Sequence, residues 1–302
     1  MVKSMKNSWL AILFCITAFC AFGCKLPEMT LEKLNAKVDP GVGKSERALL
    51  VEDVSRISSI EIQSAPGTAF DLIFGGTNTN HVLTYLDERI NYFIPEDGEI
   101  DSRLVIVRDS LFPDNESSSK KVMTMATNVG TVLWMIKEAS SPTEVAFRFG
   151  SRLIQLDSSR VGIIRLGEGY KEDFAPSISR QSTLVHEARH SDCTGGLPRS
   201  TIEDLINGKL PEDPACGHLH AICPADHSFA GYAACDKEAW GAYAVEAIFT
   251  AVIAKTCTNC SETEKQIALI SAADSLSRVL VLEDMLSGRL GPPNMTSDGV
   301  RD

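Results

Sequence analysis

His186-Glu187-Ala188-Arg189-His190 sets two imidazoles four residues apart with a carboxylate beside the first. On a helix, residues i and i+4 share a face, so both rings can reach one metal ion. Glu187, one step round, can then take a proton from water activated by that ion. The chemistry implied is metal-assisted hydrolysis, with one Zn2+ per chain as the expected metal. The competing reading is an amphipathic helix that carries two incidental histidines.

The elements needed to position these groups are readable nearby. Pro176 and Ser177 form a helix start, Ile178, Leu184, Val185 and Ala188 an apolar stripe, and Gly195-Gly196 with Pro198 a stop, so a helix of about four turns should carry the pentapeptide. Upstream, Arg152 to Leu156 and Val161 to Leu166 read as two short strands joined by the polar turn Asp157-Ser-Ser-Arg160. Before them, residues 121–139 carry Val122, Ala126, Val129, Leu133 and Ile136 at helical spacing. Short apolar runs between Val51 and Ile106 predict a small mixed α/β portion with no readable role.

A helix, a small sheet with a hairpin, and then an HExxH helix together resemble the zincin metallopeptidases over about residues 120–255. The resemblance implies an α+β, zincin-like fold: a small mixed sheet on a backing helix and the active-site helix, with a mostly helical C-terminal part. It also implies that His186 and His190 are zinc ligands and Glu187 the catalytic base.

A catalytic zinc takes three protein ligands and keeps one open position. The metzincin extension is missing, because Ser191 to Gly196 contains no third histidine. Cys235 to Glu246 reads as the start of a second helix with Glu238 in its first turn. That resembles the gluzincin arrangement, with Ala242 as the small residue that lets two helices approach. The resemblance implies Glu238 as third ligand, although the thermolysin-like variant has an aspartate where Ala242 stands. Asp236 is the rival, since it resembles an aspzincin ligand but precedes Trp240-Gly241 by one residue too many. Asp192 or a histidine are further alternatives, and Glu238 could instead be a helix-start charge favoured by the dipole. Glu246 lies two turns beyond Glu238, about 12 Å away, too far to share its ion.

Nine cysteines are present, and six lie after His190: Cys193, Cys216, Cys223, Cys235, Cys257 and Cys260. In an oxidising compartment an even set reads as disulfides. The pairing expected is Cys193 with Cys235, which would draw Glu238 to the metal, then Cys216 with Cys223 and Cys257 with Cys260. Cys216-Gly-His218-Leu-His220-Ala-Ile-Cys223 followed by His227 could alternatively form a structural zinc site. As a loop over the cleft, it would offer His218, His220 or His227, alongside Tyr232 and Tyr243, as donors to a developing oxyanion.

Lys3 and Lys6 precede the apolar run Trp9 to Phe22, the layout of a secretory signal and too short for a comfortable membrane span. Ala21-Phe22-Gly23-Cys24 resembles the bacterial lipobox, which implies lipidation of Cys24 and an envelope location, or secretion if Cys24 is not lipidated. The expected organisation is a signal over residues 1–23, a lipid-anchored tether over 24–48, one catalytic domain over 49–287, and a flexible tail over 288–302. Loss of Lys3 and Lys6 takes the net charge from -11 to about -13, which disfavours nucleic acid as a partner. The combined expectation is a zinc metallopeptidase acting on peptide or peptidoglycan-peptide substrates, tied to the membrane by a lipid. A non-catalytic zinc lipoprotein serving as a binding or assembly factor is the alternative.

Overall fold

The computed structural model describes residues 26–96, 100–108, 120–123, 145–149, 152–156, 162–167, 170, 175–190, 220–237 and 239–281. The signal, Cys24 and the tail beyond residue 287 lie outside them. The fold is mixed α+β, as expected. One four-stranded sheet has the order β1-β2-β3-β8, built from β1 (Met29–Leu31), β2 (Ala36–Val38), β3 (Ile90–Pro95) and β8 (Gly162–Leu166). β1 runs antiparallel to β2, while β2, β3 and β8 run parallel. Asn35, at φ 43°, makes the turn between the first two strands in a region that asparagine tolerates. Residues 29–48 are therefore not a tether. Leu31, Leu34, Ala36, Val38 and Val42 are buried in the core, which explains why this stretch folds against the domain.

A second sheet, β5-β4-β6-β7, consists of β4 (Ile100–Arg108), β5 (Lys120–Met123), β6 (Val145–Phe149) and β7 (Arg152–Leu156), all antiparallel to their neighbours. It is an insertion in the chain between β3 and β8. The strands at 152–156 and 162–166 exist but do not pair: β7 joins β6, and β8 lies parallel to β3, with Phe93 opposite Ile164. β3 is a run of buried residues that needs a neighbour on each side, the pattern of a parallel strand rather than a hairpin. The helix expected from residue 121 begins instead as strand β5, and its remainder, 124–139, lies outside the described residues.

Between β2 and β3 come α1 (Lys44–Ser59), α2 (Ala69–Phe74) and α3 (Thr79–Asp87); after β8 come α4 (Ser177–His190), α5 (Ala242–Thr256) and α6 (Glu262–Ser277). They share one core. Leu50, Val54 and Ile57 of α1, Phe70 and Phe74 of α2, Val245 and Phe249 of α5, and Phe93 of the sheet all belong to it. Each such side chain contributes about 1.5–3 kcal/mol by leaving water. The predicted stripe of Ile178, Leu184, Val185 and Ala188 is the buried face of α4.

α4 is also pinned by charge. Arg180 donates Nε to Asp53 of α1 at 2.7 Å and a second N–H at 3.0 Å, and Ser177 donates its hydroxyl to the same carboxylate at 2.6 Å. Asp53 is fully buried, so removing Arg180 would strand its charge, at a cost of about 3–5 kcal/mol.

α5 begins at Ala242, later than the start expected near Cys235. Gly241 precedes it in extended conformation, and the orphan Tyr243 N–H donates to Asp236 Oδ2 at 2.8 Å. Asp236 thus caps the helix from outside it.

Candidate metal centre

α4 ends in the site. It carries His186, Glu187 and His190, while His220 arrives from the residue before β9 (Ala221–Ile222), which pairs with β10 (Ala233–Cys235). The three Nε2 atoms converge: His186 to His220 at 3.1 Å, His190 to His186 at 3.2 Å, and His190 to His220 at 3.2 Å. His186 and His190 are buried, and His220 is nearly so.

Two of the rings are held from behind. His186 Nδ1 lies 3.0 Å from Glu246 Oε2, and His220 Nδ1 lies 2.9 Å from Asp236 Oδ1. An ionised carboxylate only accepts, so in both rings Nδ1 carries the proton and the neutral ring turns a bare lone pair toward its neighbours. With both rings neutral, no proton is left for the 3.1 Å contact between those two Nε2 atoms, and their lone pairs repel unless a further proton or a metal ion lies among them.

The spacing passes a direct test. Nitrogens bound tetrahedrally at about 2.0–2.1 Å from a zinc ion stand about 3.3 Å apart, close to the separations seen. Three imidazole nitrogens with two braced rings are a donor set suited to a borderline transition metal.

The braces are themselves braced. Ser182 donates its hydroxyl to Glu246 Oε1 at 2.8 Å. Burial works against ionisation of Glu246, but the bonds and charge of His186, with Ser182 and Ser275, outweigh it and hold the carboxyl below its ordinary range. Burial likewise opposes the charged form of His186. The bond and charge of Glu246, with the charges of Glu187 and Asp236, prevail and raise its affinity for a proton. Asp236 Oδ1 serves His220 while Oδ2 caps α5. A Cβ on Gly241 would fall 2.3 Å from Oδ2, so this position leaves no room for a side chain while the carboxylate stays. Tyr243 lies over the rings, stacked on His220 at 4.6 Å and edge-on to His186 at 4.5 Å.

Of the residues expected from sequence, His186 and His190 come together and Glu187 sits half-buried between them on the same helix. Glu238, Asp192, His218, Cys193 and Cys216 lie outside the described residues. His220 brings a third imidazole nitrogen within 3.2 Å of the pair, and Asp236 Oδ1 lies against Nδ1 of that ring at 2.9 Å. Glu246, rejected as a ligand, orients His186.

Cys235 is bonded to Cys223, which corrects both the Cys193 with Cys235 and the Cys216 with Cys223 pairings; Cys257 is bonded to Cys260 as expected. Proximity explains the difference, since β9 and β10 pair and bring Cys223 beside Cys235. Cys223, Cys235 and His227 lie close enough to share an ion, but the sulfurs are joined. His227 donates Nε2–H to Ser277 O at 2.7 Å and accepts from Phe229 N at 3.0 Å, so both its nitrogens hold the loop. Tyr232 is mostly exposed.

His220 was missed because nothing in its local spacing separates it from His218. The available signal was its position three residues before Cys223, beside the hairpin that returns to Asp236. Comparison with protein-family models, curated proteins and solved structures finds no match to this chain.

Proposed function

We propose that the chain is a zinc-dependent hydrolase of peptide bonds, with the metal held by His186, His190 and His220 and with Glu187 as general base. The observation that carries this reading is the convergence of three Nε2 atoms within 3.2 Å, two of their rings braced by carboxylates. Three nitrogen donors, the set found among the described residues, match catalytic zinc sites with three protein ligands, whereas structural sites fill all four positions from the protein. A zinc ion there supplies Lewis acidity toward a water and toward the substrate carbonyl.

The remaining work belongs to side chains. Glu187 accepts the proton of the attacking water and returns it to the departing amine, the two halves of general acid–base catalysis. Glu246 and Asp236 keep the rings in the tautomer that presents Nε2. Placement in the cell envelope, through the leader-like N-terminus and Cys24, belongs to the same proposal.

The test is metal analysis together with a digest of a broad peptide library. The wild-type protein should carry about one zinc per chain, and His220→Ala should lose it. Glu187→Gln should keep zinc and lose about 10²- to 10⁴-fold in rate. Turnover unchanged in Glu187→Gln, or full zinc occupancy in His220→Ala, would overturn the reading.

A further inference from the structure

The chain beyond α6 reaches back to the metal centre. Asp236 N donates to Arg278 O at 2.8 Å and Leu280 N donates to Asp236 O at 2.9 Å, a two-bond parallel bridge on the residue that braces His220. The Arg278 side chain then joins the same neighbourhood. It donates to Tyr243 Oη at 3.0 Å, lies 3.8 Å over the Phe229 ring and 4.8 Å over the Tyr243 ring, and is anchored by Asp274 at 2.8 Å. One planar cation therefore ties α6, the loop after β9 and the first turn of α5. Tyr243 connects that tie to the ligands, since its ring stacks on His220 and its N–H holds Asp236.

We propose that Arg278 is a positioning residue of the metal centre, which fixes His220 by locking Tyr243 and the backbone around Asp236. A guanidinium suits the task because its flat fork can stack on two rings and still donate in plane, which a lysine cannot do. The inference rests on His220 being a ligand, as proposed above.

The test measures zinc affinity by competition with a chromophoric chelator, and the visible spectrum of the Co2+-loaded protein, for Arg278→Ala, Arg278→Lys, Tyr243→Phe and a control. The control is Arg56→Ala, which removes a comparable ion pair to Glu264 on the far end of α6. Arg278→Ala should weaken zinc binding about 10- to 100-fold, the usual cost of a lost outer contact, and alter the cobalt spectrum. Arg278→Lys should restore little of that affinity. Arg56→Ala should bind zinc as the wild type does. Tyr243→Phe loses only the hydroxyl contact and should weaken binding roughly two- to tenfold, so it carries the test if Arg278→Ala fails to fold. Wild-type affinity and spectrum in Arg278→Ala, wild-type affinity in Tyr243→Phe, or an equal loss in Arg56→Ala overturns the inference. Absence of zinc binding by the wild type instead overturns the metal assignment itself.

Discussion

A ring that gives its Nδ1–H to a carboxylate is fixed in both tautomer and tilt, and its other nitrogen becomes a stronger donor to a metal. Glu246 does this for His186 and Asp236 for His220, so in the proposed metal centre residues that never touch the ion would contribute to its affinity. Gly241 offers a clean way to show it. Gly241→Ala adds one methyl group 2.3 Å from Asp236 Oδ2, which must move. Zinc affinity should drop about 10- to 100-fold although every ligand is intact, as a chelator titration would show. Affinity equal to wild type would mean that Asp236 does not position His220. At this scale the sequence was partly legible. His186, Glu187 and His190 are local on one helix, so period alone reveals them, whereas His220 is thirty residues beyond His190 and its role depends on tertiary placement. Asp236 was read as a ligand candidate because its place before Trp240-Gly241 resembles an aspzincin ligand, one residue out of register. Only the geometry shows that its two oxygens are spent on His220 and on Tyr243 N.

At the scale of elements, α4 was legible because capping, apolar stripe and motif all agree on it. The pairing of β7 and β8 was not, since each is a short apolar run whose partner is chosen by packing far along the chain. The β9–β10 hairpin is the element on which the site most depends. His220 precedes it, Asp236 follows it, and the Cys223–Cys235 disulfide closes it between them. A hairpin of two short strands is marginal by itself, so the covalent closure holds the His220–Asp236 pair in register. Cys223→Ser with Cys235→Ser should lower stability by about 2–4 kcal/mol, and the folded fraction should bind zinc more weakly than wild type. The Cys257–Cys260 bridge closes a local turn after α5, so its removal should leave zinc affinity untouched. Denaturant melts and zinc titration of the two double mutants, compared side by side, decide the matter. Equal zinc affinities would refute a special role for the hairpin.

For the molecule as a whole, the proposed centre would link metal, protons and folding. Without metal, His186 takes a proton more readily in the folded protein than its ordinary 6.5, because Glu246 outweighs burial, and Glu246 loses its proton more readily than its ordinary 4.5. A raised histidine contributes stability that is present below 6.5 and lost as pH rises through the folded value; a lowered carboxylate contributes stability present above 4.5 and lost as pH falls through its folded value. The metal-free protein should therefore gain from this pair most fully between those limits, and should be more stable at about pH 6 than at about pH 8. Zinc reverses the order, since it takes only the neutral rings and competes with protons for them. At a free zinc concentration about 100 times the dissociation constant at pH 6, it should add about 2.7 kcal/mol there, and at that same concentration the gain should grow toward pH 8 as the rings deprotonate and the dissociation constant falls. Thermal unfolding at both pH values, with chelator and with zinc, gives four melting temperatures per variant. His186→Ala removes the proton-sensitive partner and should flatten the metal-free difference. A metal-free protein that melts higher at pH 8, or a difference that survives in His186→Ala, would show that the pair does not govern the pH response.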